Sequence, residues 1–285
     1  MPIAMKKQLI YDIGLNEGED TSYYLSQGFR VIAVDASSEL IHAAHVIFAH
    51  YIKTKQLILL HVAISDRDNA KANFYLSKRS VWNSMHESIA NRSNALIGKI
   101  EIKTKKLSSI IKKHGIPYYC KIDIEGNDML GLHSLRELST KPKFISVESE
   151  CTSDGVVLSK KGSLATLDEL NALGYKKFKL VDQLTLIVLE PNTPFYTKEN
   201  ILMDSLRNTS WSWGLYYKLF KEAHRRELYK KLRYKFPFGA TGPYGDNLES
   251  DWLDYKTAKT TLLFHKEHCT KKHISVWCDW HAKLA

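Results

Sequence analysis

The chain has 285 residues, 44% of them hydrophobic and 25% charged, and 41 Lys+Arg against 31 Asp+Glu give a formal net charge of +10. That apolar content excludes a disordered chain, and at roughly 100 to 200 residues per domain the length admits one large α/β domain with an appendage or two small domains. No apolar run approaches the ~20 residues of a membrane span, and MPIAMKKQLIYDIG passes from two lysines straight into a buried-strand pattern, so neither a signal peptide nor a transmembrane helix is expected. Four cysteines, Cys120, Cys151, Cys269 and Cys278, form no CxxC pair, which fits a reducing, cytoplasmic setting.

Up to about residue 190, short apolar runs alternate with amphipathic stretches, the pattern of parallel strands joined by crossover helices. Strands are expected at Gln8 to Ile13, Arg30 to Val34, Leu57 to Ile64, Tyr118 to Ile124 and Phe144 to Glu148. Helices are expected at Thr21 to Gln27, Ser38 to Ile52, Leu107 to His114, Asp128 to Leu138 and Ser163 to Leu173. Ala72 to Thr104 interrupts this rhythm with strand-like Asn73 to Leu76, the loop SKRSVWNSMHES and strand-like Lys99 to Thr104, and reads as an insertion over the ligand edge of the sheet. Lys176 to Val181 and Leu184 to Val188 lie so close that only a tight turn at Asp182-Gln183 can join them, so they must pair antiparallel. A mostly parallel sheet ending in an antiparallel hairpin points to a seven-stranded variant of the doubly wound α/β architecture.

Four segments carry charged or glycine-rich patterns that a structural strand does not need. In IYDIGLNEGEDTSYYL a strand ends at Asp12, passes Gly14, Asn16 and Gly18, and enters a helix at about Thr21. Such a turn lets backbone approach a nucleotide without a Cβ in the way. The GxGxxG spacing of a diphosphate site is missing, and Glu17, Glu19 and Asp20 follow, so by Coulomb's law the turn suits the cationic end of S-adenosylmethionine better than a pyrophosphate. In RVIAVDAS, Asp35 ends the second strand about 20 residues later, where a carboxylate takes ribose hydroxyls, with Ala36 beside it. In HVAISD, Val62 and Ala63 end the third strand, where small residues can face an adenine or simply pack. In YYCKIDIEGND, alternation sends Lys121, Asp123 and Glu125 to one side, which is costly in a buried strand unless they pair with one another or act on a ligand. FISVESE repeats the theme with Glu148 and Glu150.

Taken in order, IYDIGLNEGEDT, VIAVDAS, HVAIS, NSMHES, LSSII followed by CKIDIEGNDMLGL, and ISVE resemble the FkbM family of S-adenosylmethionine-dependent methyltransferases over roughly residues 8 to 190. GATGPYGDNL, DWLDY and WCDWHA resemble the C-terminal extension of some bacterial members. The resemblance implies a Rossmann-like seven-stranded methyltransferase domain at 1–190 with a helical extension at 191–285. It further implies O-methyl transfer to a sugar, a polysaccharide or a natural product. Asp12, Gly14, Asn16 and Gly18 are then the cofactor turn, Asp35 holds the ribose, and Asp123 with Glu125 lies at the active edge.

A sugar hydroxyl is almost as weak an acid as water, whose pKa is about 15.7, so transfer needs a general base or a metal. Asp123 is expected to be the base, assisted by Glu148, with Lys121 orienting the acceptor and His86 as the rival base. Asp123 and Glu125 are also the candidate ligands for Mg²⁺ or Mn²⁺. His265, His268, Cys269, His273, Cys278 and His281 invite a zinc reading, but their spacing fits no standard finger. Ser205 to Phe236 holds nine Lys/Arg against two Glu, interleaved with aromatics. It reads as an amphipathic pair of helices, as a platform for a sugar carrying acidic or lipid-linked groups at the inner membrane surface, or as a nucleic-acid surface. The absence of an NPPY-type motif argues against nucleic acid. The alternatives are an RNA or small-metabolite methyltransferase, and a non-catalytic adenosine-binding protein that recruits nucleic acid or membrane through this segment.

Overall fold

The computed structural model describes residues 8–149, 160–183, 185–191, 226–237, 239–272 and 277–285. The strands are β1 (Leu9–Ile13), β2 (Arg30–Asp35), β3 (Leu57–His61), β4 (Ala63–Ile64), β5 (Lys71–Ser77), β6 (Leu96–Lys105), β7 (Tyr119–Ile122), β8 (Phe144–Glu148), β9 (Tyr175–Asp182), β10 (Ile187–Val188) and β11 (Cys278–Leu284). The helices are α1 (Glu19–Ser26), α2 (Ser38–Ile47), α3 (Ala49–Lys53), α4 (Glu87–Ala90), α5 (Leu107–His114), α6 (Asp128–Ser134), α7 (Lys160–Ala172) and α8 (Tyr255–Lys272). The sheet has eight strands in the order β10-β9-β11-β8-β7-β1-β2-β3, one more than expected because β11 is added to the seven foreseen. β3, β2, β1, β7 and β8 pair parallel, whereas β11 runs antiparallel to both β8 and β9.

The expected hairpin is present, with Ile187 opposite Asp182 and Val188 opposite Val181. What the hydrophobic pattern did not reveal is β11, which lies between β8 and β9 although it comes from the far end of the sequence. The segment beyond residue 190 also covers both faces of the sheet. On one face Ala258 and Leu262 of α8 pack with α5, α6, α7 and Trp280. On the other, Leu228, Phe236 and Tyr244 pack with Tyr23 and Tyr24 of α1, and the Tyr244 ring stacks on Tyr119 with centroids 4.1 Å apart.

Two expected elements are interrupted, each for a local reason. The helix foreseen over Ser38 to Ile52 breaks at Phe48, whose φ of −103° and ψ of 18° leave the helical region while its ring is buried over Gly18. The strand foreseen over Leu57 to Ile64 breaks after His61, where the Val62 N–H donates to the Asp35 carbonyl. The chain then enters a second sheet, β4-β6-β5, in which β5 and β6 form the antiparallel hairpin of the insertion. No helix among the described residues is long and apolar enough to cross a membrane.

Candidate functional site

The turn after β1 is held at its shape by close backbone contacts. Gly14 has φ +95°, and its N–H and that of Leu15 both donate to the Val34 carbonyl, at 2.9 and 3.0 Å. A Cβ on Gly14 would sit 1.7 Å from the Asp123 carbonyl oxygen, so no side chain fits. Gly18, at φ +86°, faces the Phe48 ring in the same way, 2.6 Å from a notional Cβ. Asn16, at φ +49°, donates its N–H to Asp35 Oδ2 at 2.9 Å, while Ser37 N–H donates to Oδ1 at 2.8 Å. Burial holds the Asp35 carboxyl above the usual carboxylate range, and these N–H groups partly offset it. The Asn16 amide donates to Glu19 Oε1 at 3.0 Å, and its buried Oδ1 has no hydrogen-bond partner.

Beneath the turn lies a buried ionic cluster. Lys121 Nζ donates to Asp12 Oδ1 at 3.2 Å and to the Gly14 carbonyl at 2.9 Å, and lies 3.6 Å from Asp20 and 3.7 Å from Asp123. Burial alone would favour a neutral amine, but the three carboxylates outweigh it and hold Lys121 well above its ordinary value. Asp12, which also accepts from the Thr21 hydroxyl at 2.6 Å, is pushed up to about 7 by burial, with Lys121 pulling the other way. Asp20 accepts the N–H groups of Thr241 and Gly242, at 3.0 and 3.3 Å, and so ties the C-terminal segment to the first turn of α1.

Beyond β7 the chain turns through Glu125 (φ +46°) and Gly126 (φ +100°) into α6. Asp128 holds this turn by accepting N–H groups from Ile124 and Gly126. The turn brings carboxylate oxygens of Asp123, Glu125 and Glu148 within 4.8 Å of one another. Arg92 already lies on Glu125 at 3.2 Å. Burial raises Glu125 to about 8, and Asp123 adds to it. Glu148 is held well above the usual range by burial and then by Glu125 and Asp123. Its Oε1 accepts the Trp277 indole N–H at 2.6 Å.

These groups open onto one cleft. Of the sequence-predicted residues, Gly14, Asn16, Asp35, Ala36, Val62, Ala63, Lys121, Asp123 and Glu125 line it. Asp12, Gly18 and Thr21 shape the turn from behind, and Glu148 joins through the carboxylate trio. Lys121, expected to orient an acceptor, spends its ammonium on Asp12 and Gly14. His86, the rival base, is exposed, and its Nε2 pairs with Asn127 Oδ1 at 2.9 Å over Gly126.

Sequence reasoning missed Leu40, Phe74, Met85, Asn127, Gly239 and Trp277 on the cleft wall. For Asn127 and Trp277 the motifs GND and VWCDW were a usable signal; the apolar residues looked like ordinary core. In the tail, His265 is buried with Nε2 on the Glu190 carbonyl at 2.8 Å, and Cys278 and His281 are buried in β11. The side chains of His268 and Cys269, and residues Glu150, Cys151 and His273, lie outside the described residues, as does Ser205 to Arg225 of the basic segment. Among the described residues the Asp123, Glu125 and Glu148 trio is the one group with metal-ligand geometry.

The model of the methyltransferase FkbM domain matches residues 12–177. No curated protein matches the chain. Among solved structures it is similar to an S-adenosylmethionine-dependent methyltransferase from Geobacter sulfurreducens in complex with S-adenosyl-L-homocysteine, at 11% identity, covering 98% of this chain and 85% of that one with a TM-score of 0.36. It is also similar to StiE O-MT residues 942-1257, at 10% identity over 97% and 68% of the two chains with a TM-score of 0.40. The [4+2]-cyclase SpnF aligns at 9% identity over 99% and 76%, with a TM-score of 0.38.

Proposed function

Because this chain belongs to the FkbM family of methyltransferases, we propose that it transfers a methyl group from S-adenosylmethionine to a hydroxyl of a sugar, polysaccharide or related glycan. The observation that carries this reading is one cleft lined together by a glycine turn, Asp35, the apolar Leu40, Val62 and Phe74, and the carboxyl groups of Asp123 and Glu125. The residues present fit the cofactor. Leu40, Val62 and Phe74 offer an apolar surface to an adenine, and Asp35 keeps lone pairs for ribose hydroxyls after accepting two N–H groups. The buried, unpartnered Asn16 Oδ1, beside Glu19, is an acceptor for an ammonium. When bound, S-adenosylmethionine supplies an electrophilic methyl carbon.

The chain's own contribution is then to align the acceptor oxygen and take its proton. We assign the proton to Asp123, with Glu148 beside it, because burial raises both carboxyls toward a useful basicity, with Lys121 pulling Asp123 back and Asp20 adding to it, and with Glu125 and Asp123 adding to Glu148. Lys121 acts on the base rather than on the acceptor, fixing Asp123 and the Gly14 carbonyl in one place. Glu125, already paired with Arg92, anchors the turn, so the trio is read as proton-handling rather than as a site for Mg²⁺ or Mn²⁺. The test is isothermal titration of folded protein with S-adenosylmethionine and S-adenosylhomocysteine, with NAD as control. Micromolar binding of both sulfur ligands and not of NAD is expected; no binding of either overturns the reading.

A further inference from the structure

We infer that Trp277 is the acceptor-selecting residue of the cleft, its ring receiving the C–H face of a saccharide whose hydroxyls are held by the neighbouring carboxylates; this rests on the methyltransferase reading above. Trp277 lines the cleft, and its indole N–H and backbone carbonyl are spent. Its indole N–H donates to Glu148 Oε1 at 2.6 Å, and its backbone carbonyl accepts the Gln183 N–H at 2.7 Å. The ring is therefore pinned at one edge, and what it offers a ligand is carbon. Beside it stand Asp123, Glu125 and Glu148, whose ionised forms only accept hydrogen bonds.

A ligand filling this half of the cleft must bring several donors together with one apolar face. A pyranose ring does so, because its hydroxyls radiate from the rim while its axial C–H groups form a flat apolar patch. A phenol brings one hydroxyl to a wall that carries three carboxyl groups, each with one partner of its own.

The experiment uses the full chain saturated with S-adenosylhomocysteine and, as probes, methyl glycosides of glucose, galactose, mannose and rhamnose, read by saturation-transfer NMR. At least one glycoside is expected to bind through its ring C–H protons and to shift the Trp277 indole N–H signal, which is assigned by its loss in Trp277→Phe. Trp277→Leu should weaken that glycoside about tenfold, whereas Trp277→Phe, which keeps a flat ring, should stay within about threefold. Both variants should bind S-adenosylhomocysteine as the wild type does, which also reports their folding. Trp277→Met replaces Trp277→Leu if the latter does not fold. Wild-type affinity in the non-planar variant, an unmoved indole signal, preference for catechol, or no glycoside bound to protein that binds S-adenosylhomocysteine overturns the inference. Failure of folded wild-type protein to bind S-adenosylhomocysteine overturns instead the reading on which it rests.

Discussion

At the scale of single residues, the site depends on contacts too close to tolerate substitution. Gly14→Ala would drive a methyl group into the Asp123 carbonyl. It is expected to lower the melting temperature by about 10 °C or more and to abolish S-adenosylhomocysteine binding, as scanning calorimetry and titration would show. Lys121→Met removes the cation that faces Asp12, Asp20 and Asp123 inside the sheet. Leaving that buried charge uncompensated should cost about 3–5 kcal/mol in denaturant unfolding. Asp123→Asn keeps the shape but not the basicity. It should slow methyl transfer by ~10²-fold or more while cofactor affinity holds, and a loss under about tenfold would remove Asp123 as the base. Asp12, Gly14, Asp35 and Asp123 were legible in the sequence because each breaks the pattern of its own strand end. The work of Lys121 was not, since alternation says which side a lysine points to and not that carboxylates from β1, from α1 and from the residue just past its own strand converge on it.

At the scale of elements, the four strands β1, β2, β7 and β8 were readable because each is an apolar run closed by a turn or a charge. β11 was not, because CDWHAKL alternates Asp279, His281 and Lys283 with apolar residues and looks like a solvated tail. It is buried because its polar face continues a polar row across the sheet. In register, Asp12 lies beside Lys121, Lys121 beside Ser146, Ser146 beside His281 and His281 beside Lys179. Ser146 bonds the Tyr119 hydroxyl at 2.6 Å, and Lys179 Nζ donates to the Leu248 and Glu249 carbonyls. Period-two reasoning assigns polar residues to solvent, and only tertiary pairing reverses that assignment. Deleting residues 277–285 should therefore leave β8 and β9 with open edges, and circular dichroism should show loss of the cooperative transition rather than a trimmed but folded domain.

At the scale of the whole molecule, the buried titratable groups set a pH window for stability. Burial leads in raising Asp12 to about 7, Asp128 to about 6 and Glu125 to about 8, so the folded state holds their protons more tightly than the unfolded chain does. Their stabilisation is complete below the ordinary carboxylate values and is lost as pH rises through the folded ones. His281 has the opposite sign: burial and Lys179 lower it to about 3, so its neutral form favours folding, and that gain is complete only above the ordinary histidine value. Melting temperature is thus expected to be highest near the ordinary carboxylate values, at about pH 4 to 5, because three carboxyls outweigh the one histidine, and to fall as pH rises to about 8, with Glu125→Gln flattening the fall.

The place of β11 also has a temporal side. Trp277 is 129 residues from Glu148 and Asp279 is 96 from Gln183, yet each pair is in hydrogen-bond contact. At about 5–20 residues per second of synthesis, β8 waits on the order of ten seconds for its neighbour, with a bare hydrogen-bonding edge directed at whatever else the ribosome exit offers. Completion of the sheet and completion of the cleft are then the same late event: the polypeptide acquires Trp277, and with it the donor to Glu148, only when the sheet closes.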